Sequence, residues 1–170
     1  MKNLSLLKTL VDVFFFFGVL TVATMLIITP IYLINPENSI PIMVSGQELS
    51  GTDVATKVVV VFTGVSSLFF LYAIYRLKQV LGLFMKREIF TEKVVTHFKS
   101  IGKCIVASTL LATIPLFLYN ISIQQNIKYE FNFGGFDSFL MSISLGLLFI
   151  VIGEIFNIAK NIKEENELTV

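Results

Sequence analysis

Three residues in this chain could do chemistry, and each stands alone. Glu154 is an acid set inside an apolar run, His97 is the only histidine, and Cys104 is the only cysteine. A carboxylate held among apolar groups can respond to protons or ions, because its ionisation is set by its surroundings rather than by bulk water. The other reading of Glu154 is a fixed partner for Arg76, Lys78 or Lys103. One histidine cannot build a multi-histidine metal site, and one cysteine forms neither an intramolecular disulfide nor a cysteine metal site. Cys104 opens an apolar run and reads as a small packed residue, with lipidation as the alternative. His97 lies in a basic helical stretch and reads as solvated. Asp53 and Asp137 read as ordinary loop acids. No Gly-rich phosphate loop, nucleophile elbow or HExxH pattern occurs. Neither an enzyme nor a cofactor is expected.

The elements that carry these residues follow from composition. The chain has 170 residues, enough for one compact unit. It is 55% hydrophobic and 15% charged, with a mean hydropathy of +0.81. Soluble domains carry about 25% charged residues, so this chain lacks the means to cover a surface facing water. Four apolar runs account for the excess, at about residues 13–34, 58–75, 105–123 and 139–158. At a rise of about 1.5 Å per residue, each approaches or exceeds a hydrocarbon core about 30 Å thick. The first run is too long for a secretory signal core and no small-x-small cleavage site follows, so it reads as a retained helix. Asn35 and Pro36 stop it, since the residue before proline disfavours the α region. The fold class expected is an all-α integral membrane protein with four transmembrane helices.

Between the second and third runs lies a basic segment, residues 76–103. It holds Arg76, Lys78, Lys86, Arg87, Lys93, Lys99 and Lys103. Leu77, Val80, Leu81, Phe84 and Met85 recur at helical spacing, so the second helix continues past its apolar run with one apolar face. Lys86-Arg87-Glu88 breaks the pattern and Thr91 offers an N-cap for a new helix. The apolar set of that helix is Val94, Val95, Phe98, Ile101, Cys104 and Ile105. It should run into the third span without a break, with Pro115 bending it. The segment reads as an amphipathic helical piece at the membrane boundary, its lysines snorkelling outward. It could meet anionic headgroups or a cytoplasmic partner, or serve topology alone. Direct nucleic-acid binding is not expected.

Eleven of the 13 Lys and Arg residues sit in the N-terminus, this segment and the tail; Lys57 and Lys128 alone sit in the other two connectors. Basic residues stay on the cytoplasmic side, so both termini are expected there. In the outer connectors, residues 40–44 could form a short strand. Residues 127–133 alternate aromatic or apolar with polar side chains and also read as a strand. A small extracytoplasmic β pairing of the two is expected. Small residues mark helix-packing faces: Gly64 with Ser67 on the second helix, and Ser142, Gly146 and Gly153 on the fourth. Ser108, Thr109, Ala112 and Thr113 make a further small face, where Thr109 and Thr113 could bond backbone carbonyls locally.

Certain stretches also resemble a known family. They are Glu88-Ile89-Phe90-Thr91 after the second run, and Gly153-Glu154-Ile155-Phe156 leading to Lys163-Glu164-Glu165-Asn166-Glu167-Leu168-Thr169-Val170. With the four-span layout they resemble the bacterial four-helix membrane proteins catalogued as domain of unknown function twenty-nine seventy-five. The resemblance implies a protein of the bacterial cytoplasmic (inner) membrane, working with a cytoplasmic helix-turn-helix regulator. It carries over no catalytic residue. The function expected is a sensory or regulatory membrane protein, with Glu154, Arg76, Lys86, Arg87 and Lys103 as candidate functional residues. The alternatives are a transporter or channel subunit, as a homo-oligomer, and an accessory or immunity protein docking another membrane protein through the Ser142/Gly146/Gly153 stripe.

Overall fold

The computed structural model describes residues 2–34, 42–44, 47–49, 53–124 and 139–168. Its elements are α1 (Lys2–Ile34), β1 (Ile42–Val44), β2 (Gln47–Leu49), α2 (Val54–Met85), α3 (Glu92–Tyr119) and α4 (Phe139–Leu168), with a π-helical turn at Asn120–Gln124 after α3. All four helices are long and apolar enough to cross a membrane. They run 33, 32, 28 and 30 residues, or roughly 42–50 Å at 1.5 Å per residue. Each therefore overshoots a core of about 30 Å by several turns. The overshoot of α2 and α3 is the basic segment.

The helices pack in chain order, α1 on α2, α2 on α3 and α3 on α4. The reason α2 and α3 turn back on each other lies at Lys86. Its N–H reaches the carbonyls of Gly82 and Leu83, closing the helix. Arg87 then takes a left-handed conformation with φ of 64°. That turn lets the Arg87 N–H bond the Phe84 carbonyl and the Glu88 N–H bond the Leu83 carbonyl, so the last carbonyls of α2 are satisfied. Thr91 caps α3 as expected by position, with extended backbone and its carbonyl accepting from Val94 and Val95. Its hydroxyl turns away, 3.4 Å from the Glu88 carbonyl.

The apolar faces of the basic segment turn onto neighbouring helices. Val80, Leu81, Val94, Val95, Phe98 and Ile101 are buried. Val80, Val94, Phe98 and Ile101 pack α2 against α3, and α4 closes over them with Phe149, Ile152 and Phe156. Phe98 stacks on Phe156 at 5.2 Å and on Phe149 at 6.2 Å between ring centres. Two amphipathic helices in a hairpin hide their apolar faces in each other, which removes more surface from water than one helix lying at an interface. The segment is a packed helical hairpin.

A second cluster occupies the other end: Tyr32 of α1, Val44 of β1, Val59 and Val60 of α2, and Tyr119 of α3. Ile42–Val44 lies in a stretch expected to be a strand, but its partner is β2, antiparallel, with Ile42 opposite Leu49 and Val44 opposite Gln47. The strand expected at 127–133, and its pairing with 40–44, lie outside the described residues.

Candidate functional site

The basic end of the bundle carries one polar contact across each consecutive helix pair. Between α1 and α2, Lys78 Nζ lies 3.0 Å from Asp12 Oδ1. This pair is Coulombic rather than directional, since no donor is aligned to bond Oδ1. Lys78 also lies over the Phe15 ring, 5.2 Å from its centre. Between α2 and α3, Arg76 Nη1 donates to His97 Nδ1 at 3.2 Å. Between α3 and α4, Lys160 Nζ donates to Glu92 Oε2 at 2.5 Å.

Arg76 is the most connected residue of the three links. Nε donates to the Tyr72 hydroxyl at 2.7 Å, Nη2 reaches the same oxygen, and Nη1 also donates to Gln79 Oε1 at 3.1 Å. The guanidinium carbon lies 4.8 Å from the Tyr72 ring centre. Guanidinium has no acceptor, so His97 must accept through Nδ1 and keep its proton on Nε2. The geometry thus demands a neutral imidazole. Partial burial, then the charges of Arg76 and Lys93, hold the His97 pKa below the ordinary histidine value. His97 is therefore no solvated surface group; it is half-buried and faces α2. At the third link, the hydrogen bond from Lys160 lowers the Glu92 pKa, and Glu92 raises that of Lys160.

The structure distributes the other candidates unevenly. Arg76 is brought into contact across the α2–α3 seam. Lys86, Arg87 and Lys103 are exposed, and none has an ion pair among the described residues. Glu154 is exposed on α4, with no ion-pair partner among the described residues. The pairing with Arg76, Lys78 or Lys103 is not made: Arg76 and Lys78 are turned to His97 and Asp12. Asp12 itself escaped the sequence reading, hidden between Lys8 and the first apolar run. A signal was there, since an acid flanked by Val11 and Val13 is as exceptional as Glu154.

The packing residues also sort by partner. Gly146 and Gly153 are buried against α3. A Cβ on Gly146 would stand 3.0 Å from the Gly102 carbonyl oxygen, and one on Gly153 would stand 3.2 Å from the Lys99 nitrogen. The stripe expected to dock another protein is consumed within the chain, because glycine lets α3 and α4 come to backbone contact. Its counterpart Gly102 was not singled out in the sequence. Ser142 is half-buried on the same helix. Gly64 has only Thr29 Oγ1 near, at 3.9 Å, and Ser67 bonds the Gly64 carbonyl and lies 3.8 Å from Met25 Sδ, so that face looks to α1. The residue of α2 that meets α3 is Ser66: its Oγ and that of Ser108 each donate to the other's carbonyl, at 2.9 and 3.0 Å. Thr109 bonds the Ile105 carbonyl locally at 2.9 Å. Cys104 is half-buried beside the cluster around Phe98. Among the described residues, no three His, Cys, Asp or Glu side chains gather to hold a metal ion.

What the arrangement offers is mechanical and electrostatic. Three polar contacts at one end tie α1 through α4 in series, and one of them holds a titratable imidazole. No curated protein and no solved structure matches the chain. Residues 6–170 match the family model described as "Protein of unknown function (DUF2975)", and with nearly its whole length so covered the chain belongs to that family.

Proposed function

We propose that this is a multi-pass membrane protein that carries a regulatory signal rather than catalysing a reaction, with its basic end in the cytoplasm and facing a soluble regulator there. The observation that carries the reading is the series of cross-helix contacts Asp12–Lys78, Arg76–His97 and Glu92–Lys160. A shift of any one helix along its axis must break or re-form a contact with the next. Contacts linked in series are what a bundle that signals by shifting its helices would use.

The hairpin tip is the natural output surface. Lys86 and Arg87 are exposed there, and Arg87 holds a left-handed backbone that costs a non-glycine residue about 1–2 kcal/mol. Asp12 of α1 and Lys160 of α4 lie beside the helices of this hairpin, through their contacts with Lys78 and Glu92. The distribution of Lys and Arg supports placing that end inside a bacterial cytoplasmic membrane.

The test has two arms. Reporters active only in the cytoplasm, fused at the hairpin tip and after Val170, should both be active; activity only on the far side overturns the topology. With topology established, Lys86→Glu combined with Arg87→Glu should leave membrane yield unchanged and abolish co-purification of a soluble protein with the detergent-solubilised chain. If wild type recovers no soluble protein, or recovers the same one as the charge-reversed variant, the signalling reading fails.

A further inference from the structure

We infer that the outward face of α4 binds a membrane-spanning helix of another protein, one carrying a lysine or arginine at the depth of Glu154. The inference rests on the membrane reading above and adds a partner that reading does not contain. α4 uses one seam, the Gly146/Gly153 face, to pack on α3. Leu147, Val151, Glu154, Ile158 and Asn161 lie on its exposed surface. They follow one another at spacings of four, three, four and three, the repeat by which a second helix packs along a helix.

Within that seam Glu154 is the charged position, and it has no ion-pair partner among the described residues. Three bases at this end are turned elsewhere, Lys78 to Asp12, Arg76 to His97 and Lys160 to Glu92, and among the described residues no other base pairs with Glu154. Gly153, next to it, packs on Lys99 of α3, so Glu154 sits near the inner end of the apolar run, flanked by Ile155 and Ile158. An ionisable group in a membrane helix ordinarily faces the bundle or a wet cavity. This one faces away from its own bundle, which marks an interface still to be covered. A second copy of the chain is the weaker occupant. Two-fold pairing along this seam would set Glu154 against its own twin, and like charges repel. A cation on the partner matches the charge and fixes the register, as a single polar residue does in a helix seam.

The experiment uses the full chain with a fluorophore after Val170, reconstituted in phosphatidylcholine vesicles, which hold no primary amine. The probes are synthetic Leu/Ala transmembrane peptides labelled with an acceptor. One bears a lysine a turn inside each end, so that either orientation presents it; the other bears leucine there. Energy transfer should show the lysine peptide binding about 3–20-fold more tightly than the leucine peptide, the range expected of one interhelical polar contact. Glu154→Gln should erase that difference, and Glu154→Lys should transfer the preference to a peptide with glutamate at the same places. Equal binding of the two peptides to wild type overturns the inference. So does a preference that survives Glu154→Gln, or transfer between copies of the chain that needs no peptide and is lost in Glu154→Gln. A chain that washes off the vesicles at alkaline pH overturns the membrane reading as well; one that stays inserted and ignores the lysine overturns the α4 interface alone.

Discussion

The two ends of the bundle solve the problem of buried polar groups differently. At the basic end, a polar side chain meets a partner across each helix seam: Lys78 lies against Asp12, though without an aligned hydrogen bond to Oδ1, Arg76 bonds His97 and Lys160 bonds Glu92. Beside them the packing is aromatic, with Phe84, Phe98, Phe149 and Phe156 in mutual contact. At the other end, Tyr32, Val44, Val59, Val60 and Tyr119 make a smaller cluster, and polar atoms nearby go without: Thr56 Oγ1, Thr63 Oγ1 and Asn120 Oδ1 are buried and unpartnered among the described residues. The difference teaches where the molecule is specified. Paired polar groups and backbone-to-backbone glycine contacts allow one arrangement of helices, whereas apolar packing with orphaned hydroxyls tolerates several.

The comparison fails first if the aromatic stack is expendable. Phe98 is 7% exposed and touches three other rings. Phe98→Ala should cost about 3–5 kcal/mol, read as a lowered unfolding midpoint in detergent. A change no larger than that of Val59→Ala at the opposite end would mean that the two ends are equally held.

Next in size is the α3–α4 contact. A Cβ on Gly102 would fall 2.4 Å from the Gly146 carbonyl oxygen and 2.9 Å from the Ile150 nitrogen, and neither backbone atom can swing aside. Gly102→Ala should lose about 1–3 kcal/mol to overpacking, offset by about 1 kcal/mol of helix propensity. The unfolding midpoint should fall, and cross-linking between α3 and α4 should weaken with it.

These residues show how far the sequence could be read. The four apolar helices, the break at Lys86 to Glu88 and the unbroken run of α3 from basic segment into apolar span were legible, because length and periodicity are local properties. Gly146 and Gly153 were legible as packing residues, since their spacing of seven puts them on one face. Which partner they meet was not legible, because Gly102 lies far away in sequence and carries no periodic signal. His97 was misjudged for the same reason: whether a half-apolar helix rests on lipid or on another helix depends on the turn at Arg87. Asp12 was lost inside the boundary between a charged terminus and an apolar run.

The serine pair and its counterpart at the other end should differ in sign. Ser66→Ala removes one of two reciprocal bonds and leaves the Ser108 carbonyl short of a donor, at a cost of about 0.6–1.7 kcal/mol. Thr56→Val replaces a fully buried, unpartnered hydroxyl by a methyl of the same shape. It should be neutral or stabilising by about 1 kcal/mol. Thermal scans of both variants against wild type check the pair, and a loss in Thr56→Val would place a hidden partner at that end.

Acid should act on the basic end through His97. The folded protein holds the His97 pKa below 6.5 through burial and the neighbouring Arg76 and Lys93 charges, whereas the unfolded chain titrates near the ordinary value. Between the two, the unfolded chain binds more protons, so stability falls as pH drops below about 6.5. The charged groups facing this region are Arg76 and Lys78 of α2, Asp12 of α1, Lys93 and Glu92 of α3 and Lys160 of α4. Glu92 has its pKa lowered and titrates only at more acid pH; Lys160 has its raised and titrates only at alkaline pH. His97→Gln should flatten the unfolding midpoint between pH 7.5 and 5.5, and a slope unchanged in that variant would remove the imidazole from the account.

The smallest effect tests the apolar end by the same substitution used at the basic one. Gly64 and Gly102 are both glycines inside long helices, but only Gly64 is a close-packing candidate from the sequence. Around Gly64 there is room: a Cβ would meet only Thr29 Oγ1, at 3.9 Å, an ordinary van der Waals distance. Gly64→Ala therefore gains helix propensity without overpacking and should raise the unfolding midpoint by the equivalent of up to about 1 kcal/mol. Gly102→Ala, measured in the same detergent and scan, should move it the other way. If Gly64→Ala instead loses as much as Gly102→Ala, then α1 and α2 are in backbone contact, and the ends of the bundle do not differ in how tightly they fix their helices.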